Sequence, residues 1–261
     1  MWHTVRFRTP VVAALALVVV CGVAGCAAEG SGVAPTASST AHPTPSTTPT
    51  PEPSLTPETP PAPVASDDPS SLSVVVNKLR PLNPGNYAPA DLVEVPVPYA
   101  NKPFLRQEAS NAVVAMFQAF TAQTGLSMQA QSAYRSYDSQ VSVYAGWVAS
   151  KGKAGADLTS ARPGHSEHQT GLAIDVSALP AQCTLQGCFA DTPQGQWLAA
   201  NAATYGFVLR YPDGGTPVTG YEFEPWHYRY VGIATAADYV ASGAATLEQY
   251  FGLPAAPDYA P

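Results

Sequence analysis

The stretch His168-Gln169-Thr170-Gly171-Leu172-Ala173-Ile174-Asp175-Val176-Ser177 decides how the rest of the chain is read. From Gly171 onward the residues alternate. Leu172, Ile174 and Val176 fall on one side of an extended chain, and Gly171, Ala173 and Asp175 on the other. The first side is a candidate core face; the second is kept small around a carboxylate. Gly171 lets the chain reverse after His168, so that the strand brings Asp175 back toward that imidazole. Residues 226–231 repeat the pattern, with Trp226, Tyr228 and Tyr230 on one face and His227 and Arg229 on the other.

Around these strands lie helical patterns. In residues 107–121, Val113, Met116, Phe117 and Phe120 recur at helical spacing, and Gly125 follows as a stop. Residues 128–134 read as a strand. Ser136 and Asp138 open a second helix through Tyr144 and Trp147, with Gly152 as its expected end. A third helix carries Trp197, Leu198 and Tyr205, followed by a strand over 207–211 and a turn at Pro212-Asp213-Gly214-Gly215. Trp147 and Trp197 read as core residues on helix faces. Helices separated by short strands that turn back on themselves predict an α+β domain whose small antiparallel sheet bears the site.

The folded material is expected over residues 72–253, with 254–261 as a tail. Ahead of it, Arg6 and Arg8 precede an apolar run over residues 11–20 and then small residues ending at Cys26. That order predicts a secretory signal over residues 1–25. Residues 26–71 are dominated by Pro, Ser, Thr and Ala, and no core forms from them. A Pro-rich chain of this length extends to on the order of 100 Å, which suits a tether. The net charge of −7 argues against nucleic acid as a partner. Of the four cysteines, Cys183 and Cys188 fall in the domain, and in an oxidising compartment they are expected to form a disulfide.

The chain has five histidines, of which His3 and His42 precede the domain. His165, His168 and His227 remain. A catalytic zinc takes three protein ligands and leaves a position for water, and two imidazoles with one carboxylate form a common set. His168, Asp175 and His227 are candidates for that set. A general base must stand beside the water. Glu224 precedes His227 by three residues and Pro225 biases it toward an extended conformation; Glu222 is the competitor.

The segment Ser166 to Asp175 matches SxHxxGxAxD, and Glu224-Pro225-Trp226-His227 matches ExxH with a tryptophan before the histidine. Together they resemble the VanY-type D-alanyl-D-alanine carboxypeptidases, a zinc peptidase family that also contains LD-carboxypeptidases. The likeness extends over Arg80-Pro81-Leu82-Asn83-Pro84, Tyr134-Arg135-Ser136, Arg162-Pro163-Gly164-His165 and Tyr205-Gly206-Phe207. The resemblance implies a Hedgehog/DD-peptidase-like zinc fold, zinc on His168, Asp175 and His227, and Glu224 as the acid and base. It also implies that Arg135 stabilises the scissile carbonyl or binds a substrate carboxylate. The alternative for Arg135 is a surface bridge to Asp138, worth about 0–1 kcal/mol. Gln140 and Ser166 are expected to contact the peptide stem. His165 is either a further ligand or an orienting residue, and its place outside the matched motif favours the latter.

The implied function is removal of the terminal D-Ala from peptidoglycan stem peptides. LD-carboxypeptidase or endopeptidase action on the same stems, or a non-catalytic zinc-containing wall-binding module, are the alternatives. The tetrapeptide Val23-Ala24-Gly25-Cys26 resembles a bacterial lipobox, which implies acylation of Cys26 and a lipid anchor on the outer face of the cell membrane.

Overall fold

In the computed structural model, which describes residues 63–260, the alternating stretch after Gly171 is an inner strand of the main sheet. The predicted signal and Cys26 lie outside the described residues. In chain order, β1 (Leu92–Glu94) pairs antiparallel with β2 (Phe104–Arg106), which runs directly into α1 (Gln107–Thr124). Then come β3 (Ser127–Ser132), α2 (Tyr137–Thr159), a single 3₁₀ turn over Glu167–Thr170, and β4 (Ala173–Leu179). The chain continues through α3 (Pro193–Asn201), β5 (Phe207–Leu209), α4 (Thr216–Thr219), β6 (His227–Tyr230), α5 (Ile233–Ser242) and α6 (Leu247–Tyr250). The main sheet has the order β3-β4-β6-β5 and is antiparallel throughout, which is the α+β arrangement expected from the sequence.

The helix α1 forms where its apolar spacing predicts, and Gly125 ends it in the left-handed region at φ 70°, its N–H closing on Thr121 O. Its buried residues Val113, Met116, Phe117 and Phe120 pack with Leu172, Ile174 and Val176 of the alternating stretch and with Tyr228 and Tyr230 of β6. Each such side chain contributes about 1.5–3 kcal/mol by leaving water. Trp197 joins this core edge-on to Phe120, with ring centroids 5.5 Å apart. One face of the sheet is thereby committed to packing. The polar residues of β4 and β6 are left for the other.

Gly152 interrupts α2 at φ 70° and ψ 169°, as the expected stop implies, but a further helical segment continues to Thr159. Trp147 departs from expectation: it is half-buried on a cleft wall, with Lys151 Nζ 4.6 Å from its ring centroid. Cys183 and Cys188 are bonded.

The ordered chain extends past both expected domain boundaries. Ser66 pairs with Val74, Arg80 binds Asp67 at 2.6 Å, and Arg106 Nη1 donates to Ser70 O at 2.6 Å. At the other end Ala256 is fully buried, and Lys78 Nζ donates to Gly220 O at 2.7 Å and Pro257 O at 3.2 Å. These anchors are mostly backbone hydrogen bonds and ion pairs, for which hydropathy carries no signal.

Candidate active site

The register of β4 with β6 sets Asp175 directly opposite His227, which places both side chains on the sheet face that α1 does not cover. His168 arrives from the 3₁₀ turn. Gly171 then reverses the chain at φ 67°, and a Cβ there would stand 2.8 Å from Leu92 Cδ2 and 3.1 Å from Arg106 Cγ. The left-handed backbone conformation favours glycine there, and any Cβ would also push these two side chains aside. Arg135 N donates to His168 O at 3.2 Å, which ties the turn to the chain leaving β3.

His168, Asp175 and His227 each offer a ligand atom, and these atoms all lie within 4.8 Å of one another. His168 Nε2 is 3.3 Å from Asp175 Oδ2, and His227 Nδ1 is 3.1 Å from Asp175 Oδ1. His168 Nδ1 lies 2.7 Å from Ala133 O, an acceptor, so Nδ1 carries the proton and Nε2 turns its lone pair to the cluster. Asp175 Oδ1 is buried without a hydrogen-bond partner, an arrangement that costs about 1–3 kcal/mol unless a cation or donor meets it. Burial pushes the His227 imidazole down, but the Asp175, Glu167 and Glu224 carboxylates around it prevail and raise it to about 9. Two nitrogens and a carboxylate oxygen, held in a pocket that demands positive charge, fit a zinc-type ion.

Glu224 stands next to this cluster, Oε2 3.7 Å from His227 Nδ1, and its N–H is fixed on Tyr211 O at 3.0 Å. Burial raises its carboxyl to about 8. Glu222, the competitor, is exposed on the cleft rim. Arg135 lines the same cleft and makes no bond to Asp138; its Nε donates to Gln140. Ser166 is buried on the cleft wall. His165 stays outside the ligand group, its Nδ1 2.9 Å from Asn77 O and its ring edge-on to Tyr259.

One expectation is corrected here. Gln140 is fully buried, with its amide nitrogen spent on Ser160 Oγ at 3.1 Å and Ala161 O at 2.6 Å, and it is absent from the cleft lining. It holds Arg135 rather than a substrate.

A protein-family profile described as VanY, D-alanyl-D-alanine carboxypeptidase, matches residues 102–233, the span that contains all three candidate ligands, Glu224 and Arg135. The chain belongs to the VanY family. It is 42% identical over 189 residues to "Putative carboxypeptidase YodJ" of Bacillus subtilis (strain 168), covering 70% of this chain and 68% of that protein. A D-alanyl-D-alanine carboxypeptidase of Enterococcus faecalis is 41% identical over 105 residues, 40% of this chain and 37% of its own. Among solved structures, the LdcB LD-carboxypeptidase matches with a TM-score of 0.65 and 40% identity over 70% of this chain and 87% of its own. A VanY D,D-pentapeptidase in complex with Zn(II) matches with a TM-score of 0.56 and 31% identity over 69% and 98%.

Beyond the VanY motifs, several cleft residues carry no sequence signal. Tyr211 is buried with its ring 4.9 Å from that of His227, and Leu185, inside the Cys183–Cys188 loop, lines the rim. Glu167 occupies a free position of SxHxxGxAxD, yet its side chain is completely buried between Arg210 and Arg229. Those arginines are more than forty residues away along the chain, so no spacing rule could have found the contact.

Proposed function

We propose that the cleft is a zinc-dependent D-alanyl-D-alanine carboxypeptidase site that removes the terminal D-Ala from peptidoglycan stem peptides. The observation that carries this reading is the convergence of three buried ligand atoms with a buried carboxylate, Glu224, at their side. His168 Nε2, Asp175 and His227 Nδ1 would hold the metal. When bound, zinc acidifies a water molecule and polarises a carbonyl.

Glu224 takes the proton of the attacking water as the oxygen adds to the scissile carbonyl carbon. It then delivers that proton to the leaving nitrogen, so that the C–N bond breaks and D-Ala departs with a free amine. Burial raises its carboxyl above the ordinary carboxylate range, which favours uptake of the proton that it later returns. Arg135, fixed by Gln140, supplies a planar guanidinium for charge on the carbonyl oxygen or for the terminal carboxylate of the stem. Ser166 offers a hydroxyl on the same wall. A related structure named as VanYB in complex with D-Alanine-D-Alanine, 32% identical, supports the choice of substrate.

A second reading has its own support. LdcB and a pneumococcal L,D-carboxypeptidase DacB are 40% and 37% identical to this chain, above the 31% of the D,D-pentapeptidase structure. On that reading the same machinery releases D-Ala from tetrapeptide stems. The deciding experiment offers zinc-loaded full-length protein pentapeptide and tetrapeptide stems and identifies products by mass spectrometry, with Glu224→Gln as control. Loss of one D-Ala from the pentapeptide supports the D,D activity; cleavage of the tetrapeptide alone supports the L,D activity. No release from either, with metal bound, would leave a binding module.

The reading extends to location. An extracytoplasmic enzyme acylated at Cys26 and spaced from the membrane by the Pro/Ser/Thr-rich stretch ahead of the domain accords with the order of sequence signals and with a disulfide in the domain. Cys26→Ala should then release the protein into the medium; retention on the membrane would overturn the anchor.

A further inference from the structure

Glu167 lines the cleft between Ser166 and His168, and its side chain is fully buried in an ion cluster. Its Oε1 accepts from Arg210 Nε at 2.8 Å and from Arg229 Nη1 at 3.1 Å. Both arginines are pinned elsewhere. Arg210 forks onto Glu248 with Nη1 at 2.9 Å and Nη2 at 2.6 Å, and Glu248 accepts in turn from Asn77 Nδ2 at 3.0 Å. Arg229 donates to Leu72 O, Val74 O and Tyr230 O. The second oxygen of Glu167, Oε2, has no hydrogen-bond partner, and neither has His227 Nε2, which faces it at 3.5 Å. Two buried polar atoms without other partners thus point at each other.

We infer that Glu167 is the positioning residue of the metal site: it accepts the Nε2 proton of His227 and thereby fixes the tautomer that leaves Nδ1 free for the ion. This rests on the reading of His227 as a metal ligand. A metal-bound histidine takes its orientation and tautomer from what its other nitrogen bonds, and the loss of such a partner typically costs about 10–100-fold in metal affinity. The arginine cluster then has a role beyond stability. It holds Oε1 from two sides so that Oε2 has one direction left to face.

The arrangement gives Glu167→Gln a specific consequence. Two fixed guanidinium donors require the amide oxygen on their side, so the amide NH₂ must take the place of Oε2. An NH₂ group donates and does not accept. His227 must then present a lone pair at Nε2 and carry its proton on Nδ1, where Asp175 Oδ1 at 3.1 Å accepts it. The variant folds around the wrong tautomer and the proton occupies the position the metal needs.

The test is a zinc competition titration with a chromophoric chelator on the full chain, comparing wild type, Glu167→Gln and Glu248→Gln, with melting curves of each metal-free protein. Glu248→Gln disturbs the same cluster without touching His227. The expected result is zinc affinity lowered about 10–100-fold in Glu167→Gln and unchanged in Glu248→Gln, even where the latter melts at lower temperature. Equal affinity of wild type and Glu167→Gln, or an equal loss in Glu248→Gln, would overturn the assignment. If the wild type binds no zinc, the metal reading itself fails, a separate outcome. Should Glu167→Gln not fold, ¹⁵N imidazole spectra of the zinc-loaded wild type decide. A proton on Nε2 of His227 is expected, and a proton on Nδ1 would overturn the inference.

Discussion

The Nε of Arg135 donates to Oε1 of Gln140, a residue that is itself fully buried and reaches no cleft. On the proposed reading Gln140 would act on a substrate only through the guanidinium it aims, and its own amide nitrogen is tied to Ser160 and Ala161 at the end of α2. Gln140→Leu keeps bulk but removes the acceptor. A small misplacement of a positioning group costs on the order of 10²-fold, so kcat/KM should fall by about that much or less. Stability should fall by about 1–3 kcal/mol, because the Ala161 carbonyl loses its donor. Zinc affinity should not change, and a parallel drop in metal affinity would show that Gln140 supports the ligand cluster instead.

Glu224→Gln separates binding from chemistry. The amide is the same size and leaves His168, Asp175 and His227 in place, so zinc uptake should persist. It cannot shuttle a proton, and the loss of a general acid or base typically costs about 10²–10⁴-fold in rate. A titration of metal content beside a turnover assay checks both halves. Glu222→Gln, on the exposed rim, is the comparison: if it is the more damaging of the two, the base has been misassigned.

The strands were legible because β4 and β6 each put packing groups on one face and polar groups on the other, a pattern that needs only two-residue periodicity. The convergence of His168, Asp175 and His227, with Glu224 beside them, was legible because His168 and Asp175 sit in one local turn and strand, and Glu224 and His227 in another. Partners separated widely in sequence were not legible. Asn77 with Glu248, Glu167 with Arg229 and Lys78 with Pro257 meet only once the chain is folded. Gln140 illustrates the cost. The family resemblance implied a contact to the peptide stem, whereas its burial and its hydrogen bond direct it toward Arg135.

Asp157, near the end of α2, sets a pH dependence of stability. Burial alone would raise its carboxyl, but hydrogen bonds from Arg162 at 3.0 and 3.1 Å, Tyr144 at 2.7 Å and Lys153 at 3.0 Å hold it well below its ordinary 3.8. A carboxylate depressed in the folded state contributes its full stabilisation above the unfolded value and loses it as pH falls through the folded one. Asp157→Asn should therefore destabilise the protein by about 1–3 kcal/mol at pH 7. The gap from wild type should narrow steadily once the pH drops below about 4. Denaturant melts at a series of pH values test this, and a gap that is constant with pH would mean packing rather than charge is responsible.

Residues 254–261 read as a tail in sequence, and the structure packs Pro257 and Tyr259 against the domain. Lys78 is buried, and one of its two carbonyl acceptors is Pro257 O. Tyr259 lies over the Arg162 guanidinium at 3.8 Å, accepts the Arg162 N–H at 2.8 Å, and meets the hydroxyl of Tyr221, a cleft-lining residue, at 3.2 Å. A chain that stops after Leu253 leaves a buried ammonium short of an acceptor and uncovers Tyr221, which directly precedes the Glu222–Glu224 stretch. Leaving a buried charged donor short of a partner costs about 1–3 kcal/mol or more, so the truncated protein should melt several degrees lower. Tyr259→Phe should lose only the two hydroxyl contacts, about 1 kcal/mol, and keep the ring over Arg162. If the truncation melts like the full chain, the tail is a passenger. If Tyr259→Phe matches the truncation, the phenol alone accounts for the effect and Lys78 is satisfied by Gly220.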